Sequence, residues 1–217
     1  MTSPSSASLE FVVRTIAQTA VDNEREFGEL DAVVGDGDFG YSLARGFEIV
    51  LAEWDTYDRS EPSVFLQKIA LTISKRVGGT SGPLWGTAFL RAAAAVKGKA
   101  ELTGADVVAM LRGAAEGIKK RGNSDVGDKT LLDALVPMTD AIAVQLAADP
   151  SAPAPEVAKV AASAARAAAD ATTSMQAMRG RASYTGERSI GSPDAGAVAV
   201  AVMAERVAQT WTGSASS

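Results

Sequence analysis

The most regular feature of the sequence is the recurrence of apolar residues at intervals of three and four. In LEFVVRTIAQTAVDNEREF (residues 9–27), Leu9, Val13 and Ile16 fall near one helical face. The segment PSVFLQKIALTISKRV (residues 62–77) begins with a proline in a first-turn position and continues the same spacing. Both patterns predict amphipathic helices with one buried face.

Further helices are predicted in the second half of the chain, over residues 102–122, 130–148, 155–180 and 195–211. Thr103 is expected to cap the first of them, and a basic turn precedes Gly122 at its end. The sequence has no series of alternating β-branched runs joined by hairpin turns. Roughly eight helices with short connectors therefore predict an all-α helical bundle.

The length of 217 residues favours a single domain over residues 1–217, with residues 1–7 and 212–217 expected to fray. The N-terminus lacks the basic start and apolar run of a signal peptide, and no apolar run is long enough to span a bilayer. The net charge of −5 argues against nucleic acid as a partner. We therefore expect a cytoplasmic protein without nucleic-acid or membrane partners.

Two residue types are missing, and their absence restricts the chemistry. The sequence contains no cysteine, which excludes disulfides, thiolate nucleophiles and zinc–thiolate sites. It also contains no histidine, the commonest general base and metal ligand. Any metal site must therefore use carboxylates, which favour hard cations such as magnesium, manganese or calcium.

Four glycine-rich connectors are the candidate functional segments: VGDGDFGYS, VGGTSGPLWGT, RGNSDVGDKT and RGRASYTGERSIGSPDAGA. Alternate connectors of an up-and-down bundle lie at the same end. These four are therefore expected to build one site, while plain loops such as ADPSAPAP serve the other end.

The first connector carries Asp31, Asp36 and Asp38 within eight residues. On a continuous helix Asp36 would point roughly 140° away from the other two aspartates. Gly35 and Gly37 allow a break at which all three converge. A single Asp-Gly pair is commonly just a turn, but three aspartates favour a divalent-cation site. The glycine spacing does not fit an EF-hand.

The other three connectors suggest phosphate binding. Thr80 and Ser81 lie in a turn that is either a phosphate cradle or a plain glycine turn. The third connector differs from a P-loop by one inserted residue and follows a helical pattern, so Lys129 either contacts phosphate or is a solvated helix-start residue. The last connector carries Arg179, Arg181 and Arg188, which would balance a polyphosphate or form weak surface ion pairs.

Taken together and in order, the segments DAVVGDGDFG, GGTSGPLWGT, GDKTLLD and GRASYTGERSIGSPDAGA resemble the nucleotide-binding L subunit of dihydroxyacetone kinases. The resemblance extends over residues 31–197. It implies an antiparallel eight-helix barrel with the nucleotide site built from loops at one end.

The resemblance also implies the residues of the site. Asp31, Asp36 and Asp38 would be the catalytic and metal-binding residues, holding two Mg²⁺ ions that bridge the phosphates of ADP or ATP. The residues implied to bind the nucleotide are Phe39, Gly40, Tyr41, Ser42, Thr80, Ser81, Gly122, Leu131, Arg181, Asp194, Ala195 and Gly196. The sequence departs from the family pattern at Phe39, where His or Cys is usual, and at Ala195, where Pro is common.

In this family a separate K-type subunit holds the ketose through a histidine, which a chain without histidine does not supply. The resemblance therefore implies a kinase subunit that transfers a phosphoryl group to a hydroxyketone on its partner. A phosphotransferase-system donor protein and a second copy of the chain are further possible partners. The alternative function is a nucleotide-sensing adaptor without turnover.

Overall fold

The computed structural model describes residues 4–211, and within them it has nine α-helices and no β-strand. The α-helices are α1 (Pro4–Asp22), α2 (Glu24–Ala32), α3 (Phe39–Ala52), α4 (Pro62–Arg76), α5 (Ser81–Ala95), α6 (Gly104–Gly122), α7 (Leu132–Ala148), α8 (Ala154–Ala171) and α9 (Ala195–Thr210). Three 3₁₀ segments cover Trp54–Thr56, Thr172–Ser174 and Arg181–Ser189. The predicted all-α fold is confirmed.

Several helix ends follow the predicted signals. Pro62 occupies the first turn of α4, where its missing N–H is not needed. Thr103 and Asp106 form a reciprocal capping box at the start of α6. The same helix ends in a basic turn and is closed by Asn123, whose backbone is left-handed at φ 47°.

Three predicted boundaries differ from the structure. The helix predicted over 9–27 is interrupted at Asn23, which separates α1 from α2. Residues 4–7 are helical in contrast to the predicted frayed end, while residues 1–3 and 212–217 lie outside the described residues. The helix predicted over 155–180 ends at Ala171, because the buried Thr172 hydroxyl donates to the carbonyl of Ala169 and accepts the amide of Asp194.

The helices contact one another in a closed ring. From α3 to α9 each helix packs against the next, and α1 contacts both α9 and α3. Large side chains such as Phe47 and Ile118 are fully buried. The ring contains a mainly apolar cavity of about 500 Å³, lined from α1 and α4 to α9. Trp85 is a core residue that packs edge-on against Phe47, with 7% of its surface exposed.

No helix in the described part of the chain is both long and apolar enough to cross a membrane.

The up-and-down order places the starts of α3, α5, α7 and α9 at one end of the ring. Contacts between their loops show this directly. A Cβ on Gly78 would lie 2.9 Å from Ser42 Oγ, and one on Gly122 would lie 3.2 Å from Leu84. A Cβ on Gly196 would lie 3.2 Å from Leu131 Cβ. The four glycine-rich connectors therefore meet at this end, which we call the loop end.

The position of α3 depends on close contact between α2 and Gly40. A Cβ on Gly40 would lie 1.9 Å from the carbonyl oxygen of Glu24 and 2.6 Å from the amide nitrogen of Gly28. Both atoms belong to the α2 backbone and cannot rotate away. This contact fixes the start of α3, and with it Asp38, relative to the end of α2, which carries Asp31.

We expect Gly40→Ala to destabilise the protein by about 1–3 kcal/mol or more, because the added methyl group forces α2 and α3 apart. Helix propensity alone predicts the opposite sign, a gain of about 1 kcal/mol. Urea unfolding followed by circular dichroism measures the difference. Gly113→Ala is the matched control, since its Cβ would lie 3.2 Å from the carbonyl oxygen of Arg91, a tight contact that a shift of a few tenths of an ångström relieves. Equal stability changes in the two variants would contradict the proposed constraint.

Candidate functional site

The three predicted aspartates come together at the loop end. One carboxylate oxygen from each of Asp31, Asp36 and Asp38 lies within 4.8 Å of the other two. Asp31 sits in the last turn of α2, Asp36 in the connector, and Asp38 at the N-cap position of α3. The break that the sequence predicts between the aspartates therefore exists and allows all three to converge.

Local backbone features explain the convergence. A Cβ on Gly35 would lie 2.5 Å from Asp31 Oδ1, so only glycine fits beside this carboxylate. Gly37 adopts φ 75°, a left-handed conformation that turns the chain into α3. Asp38 makes no side-chain capping bond to α3, which leaves its carboxylate directed at the other acidic groups. Asp31 Oδ2 accepts a long bond of 3.4 Å from the amide of Phe39.

The positive charge of Arg181 faces this acidic cluster. Its guanidinium is paired with Asp36 and lies 3.2 Å from Asp38 Oδ2. All three side chains are about half exposed, between 47% and 55% of their surface. The contact joins the first and last glycine-rich connectors, which are more than 140 residues apart in sequence.

The four residues at the start of α3 have different surroundings. The ring of Phe39 packs against the buried Phe27, with ring centroids 6.2 Å apart, so it belongs to the edge of the core. Gly40 is buried against α2, as described above. Tyr41 is 58% exposed and lies beneath the Arg45 guanidinium. The Ser42 hydroxyl faces the turn that contains Gly78, which places it beside the second connector.

Thr80 and Ser81 stand at the beginning of α5. Thr80 is the N-cap residue and makes no side-chain capping bond, and Ser81 is the first helical residue. Gly79 before them is left-handed at φ 60°. The first amides of a helix carry partial positive charge and favour anions. The turn therefore has the hydroxyls and amides that a phosphate group requires.

The remaining predicted residues line the other side of the loop end. Gly122 ends α6 beside Leu84, and Leu131 directly precedes α7. Leu131 touches Gly196, so the third and fourth connectors are in contact. Gly122 is half-buried and Leu131 is 9% exposed, so small and apolar residues form this side of the loop end.

Asp194 holds the start of α9. Its Oδ2 accepts the amide of Ala197 at 2.7 Å, and its own amide donates to Thr172. Burial raises the pKa of this carboxyl group to about 7, and the nearby Asp133 adds to the rise. The amide of Ala197 and the charge of Lys129 oppose it. The Asp194 carboxylate is the N-cap of α9.

Two charged residues are buried at this end: Lys129, which the sequence analysis interprets differently, and Asp133, which it does not single out. Lys129 is 2% exposed and donates to backbone carbonyls, so its interpretation as a phosphate contact or solvated residue is wrong. Burial lowers the pKa of its ammonium group. Asp133, 3% exposed, accepts the amides of Gly127 at 2.5 Å and Thr130 at 2.7 Å and so shapes the third connector. The segment GDKTLLD contains both residues, but its letters do not tell a buried anchor from a ligand contact.

The geometry defines a class of site. Three carboxylates supply an oxygen-only donor set that fits a hard divalent cation. The Arg181 guanidinium and the start of α3 lie beside them, and three further helices begin at the same end, and both guanidinium groups and helix starts favour phosphate. An all-α protein with such a loop end is suited to bind a metal–phosphate ligand.

Residues 33–209 match the family described as the DAK2 domain. Since the match includes most of the 217 residues, the chain belongs to the DAK2 domain family. This confirms the resemblance drawn from the four connectors.

Individual relatives agree with this assignment. The chain is 38% identical, over 82% of its length and 84% of the relative's, to the "PEP-dependent dihydroxyacetone kinase, ADP-binding subunit DhaL" of Escherichia coli. It is 35% identical to the "L-erythrulose 1-kinase" of Mycolicibacterium smegmatis, over 93% of this chain but 35% of that one. The dihydroxyacetone kinase of C. freundii, solved in complex with AMP-PNP and Mg²⁺, superposes with a TM-score of 0.75 at 25% identity, over 94% of this chain and 34% of that one.

The raised pKa of Asp194 predicts how stability depends on pH. Between the ordinary value of 3.8 and about 7, the folded protein binds a proton that the unfolded chain has released. Folding stability therefore falls as the pH rises through this range, and the loss is complete above the folded pKa. In Asp194→Asn the cap is kept but cannot ionise. We expect the stability of this variant relative to wild type to increase from about pH 4 to about pH 7 and then stay constant.

Urea unfolding at a series of pH values measures this difference. Asp106→Asn is the control, because Lys99 and Thr103 lower the pKa of Asp106 to about 2. Its stability relative to wild type should change only at acidic pH and be constant from about pH 5 to pH 7. If the stability of Asp194→Asn relative to wild type does not change between about pH 5 and pH 7, the pKa of the Asp194 carboxyl group is not raised.

Proposed function

We propose that this chain is the nucleotide-binding subunit of a ketose kinase. It binds ADP or ATP with Mg²⁺ at the loop end, and the phosphoryl group passes to a hydroxyketone held by a separate K-type subunit. The observation that carries the proposal is the convergence of three carboxylates within 4.8 Å, facing Arg181, at the end where four helices begin. The family relationship supports the kinase class.

Asp31, Asp36 and Asp38 would hold the metal, and we propose two Mg²⁺ ions. Their donor atoms are all oxygens, and the guanidinium that pairs with two of them shows that this position attracts positive charge. Bound Mg²⁺ supplies charge neutralisation and positioning of the phosphoryl groups. The half-exposed aspartates are accessible to a ligand from solvent.

The protein's own groups would orient the nucleotide. Backbone amides at the starts of α3 and α5, with the hydroxyls of Ser42, Thr80 and Ser81, would bind phosphate oxygens. On the other side, Gly122 and Leu131 offer the uncharged surface for the purine ring. Arg181 would exchange its carboxylate partners for phosphate oxygens, and the turn Asp194–Gly196 would close the site beside Leu131. Phe39 would contribute its amide alone, since its ring packs against Phe27.

A partner is required because the chain has no histidine, the residue through which the K-type subunit of this family holds the ketose. Exposed large apolar side chains support docking at the loop end. Of those in the described residues, six lie on its connectors or the start of α3: Val33, Tyr41, Val126, Met178, Tyr184 and Ile190. The E. coli relative is named as a subunit, whereas the chain matches about a third of the mycobacterial kinase. The missing acceptor site would therefore lie on another chain.

We expect Mg²⁺ with ADP or ATP to raise the melting temperature by roughly 5 to 10 °C, since ligand at about 100 times its Kd adds roughly 2.7 kcal/mol. Asp36→Asn should abolish the shift in melting temperature, because it removes one of the three negative charges of the metal site. Asp55→Asn, at an exposed position in the 3₁₀ segment after α3, should retain it. Differential scanning fluorimetry with and without EDTA checks this. A shift that survives EDTA and Asp36→Asn would refute the metal–nucleotide site.

With a cognate K-type subunit, we expect phosphorylation of dihydroxyacetone or an erythrulose that depends on this chain. Asp36→Asn should lower the rate at least about 100-fold, because the phosphoryl group is no longer held and neutralised. A coupled assay of the phosphorylated ketose measures the rate, with ATP and phosphoenolpyruvate-dependent donor systems tested separately. Nucleotide binding and partner binding without any turnover would favour the adaptor function instead.

A further inference from the structure

We propose that Lys129 is a positioning residue that fastens the base of segment 175–192 and thereby sets the affinity for the nucleotide through Arg181. The effect on nucleotide affinity rests on the proposed nucleotide-binding function, whereas the fastening of segment 175–192 concerns the protein without ligand. We define the anchored segment as residues 175–192, which run from the end of the 3₁₀ turn after α8 to the start of the turn before α9.

The side chain of Lys129 is buried and fully bonded. Nζ donates to the carbonyl oxygens of Met175 at 3.0 Å and Ser192 at 2.7 Å, and also to that of Ser189. An ammonium group has three N–H donors, so each one has a backbone acceptor. With 2% of the residue exposed, water does not compete for these bonds.

The three acceptors lie at the two ends of the anchored segment. Met175 begins it, and Ser189 and Ser192 end it, so one ammonium group holds the ends together. Hydrogen bonds from Ala177 N to Ser189 Oγ and from Gly191 N to Thr173 O support the same closure. Between the ends, Arg181 extends to Asp36 and Asp38.

The backbone conformation of Lys129 is one that glycine would adopt more easily, which indicates that the lysine side chain is needed for this contact. The residue adopts φ 60°, a left-handed conformation that is strained for a residue with a side chain and readily adopted by glycine. Glycine would relieve this strain but would leave three carbonyl groups without their donors. Buried carbonyls without partners are expensive, so the ammonium stabilises the closed base of the segment.

Trypsin tests the fastening without nucleotide, since the anchored segment contains Arg179, Arg181 and Arg188 as cleavage sites. We expect Lys129→Met to increase cleavage after these residues at least about tenfold under native conditions, because an opened base exposes the segment. Lys129→Gly removes the ammonium while relieving the backbone strain, and it should give the same increase. Mass spectrometry identifies the cleaved bonds.

The matched control is Lys99→Met. Lys99 pairs with Asp106, outside the loop end, so its loss should lower stability without accelerating cleavage in the anchored segment. If both Lys129 variants are cleaved at the wild-type rate, Lys129 does not hold the base of the anchored segment, and the proposal is wrong. The glycine variant keeps the test valid if Lys129→Met does not fold.

Calorimetric titration with Mg²⁺ and ADP tests the second part of the proposal, that Lys129 sets the affinity for the nucleotide through Arg181. We expect Lys129→Gly to weaken binding at least about tenfold, and Arg181→Ala to weaken binding in the wild-type background but by less than about twofold in Lys129→Gly. Unchanged affinity in Lys129→Gly, or fully additive effects of the two changes, would overturn the route through Arg181. If the wild type itself does not bind, the proposed function fails, whereas the trypsin comparison still decides the fastening.

Discussion

Mutual repulsion of three carboxylates is the constraint around which the loop end is built. Asp31, Asp36 and Asp38 present oxygens within 4.8 Å of one another, an arrangement that is unfavourable without positive charge nearby. The fold supplies that charge in two ways. Arg181 pairs with two of the aspartates, and the helix starts at this end contribute partial positive charge. The features that relieve the repulsion, a guanidinium and helix starts, are also ones that favour phosphate groups in general.

Close backbone approach makes the cluster possible. Gly35 leaves room for the Asp31 carboxylate, and Gly40 lets α3 lie directly against α2. At either position an added methyl group would lie closer to neighbouring atoms than van der Waals contact allows. The acidic connector is therefore held by steric requirements as much as by hydrogen bonds, and a loop of different composition would not bring the aspartates together.

Buried polar side chains organise the opposite side of the loop end. Asp133 shapes the third connector through two backbone amides, and Asp194 caps α9. Lys129 lies beside Asp194, whose charge it partly offsets. Such groups are costly to bury unless each is bonded. Here the hydrogen bonds of Lys129 to Ser189 and Ser192 join the third connector to the fourth. The position of Arg181 thus depends on residues that never reach the acidic cluster.

Local patterns were sufficient to predict the helical class, the helix starts at Pro62 and Thr103, and the meeting of the four glycine-rich connectors at one end, because periodicity and turn chemistry are local properties. The spacing of three aspartates around two glycines was enough to predict that Asp31, Asp36 and Asp38 converge, as they do. The sequence did not reveal that α8 stops at Ala171 or that Lys129 is buried. Both features depend on hydrogen bonds between segments far apart in sequence, such as Thr172 with Asp194 and Lys129 with Ser192. Neither feature can be read from residue type, since burial and long-range partners distinguish an anchor from a ligand contact, and both arise only when the chain has folded.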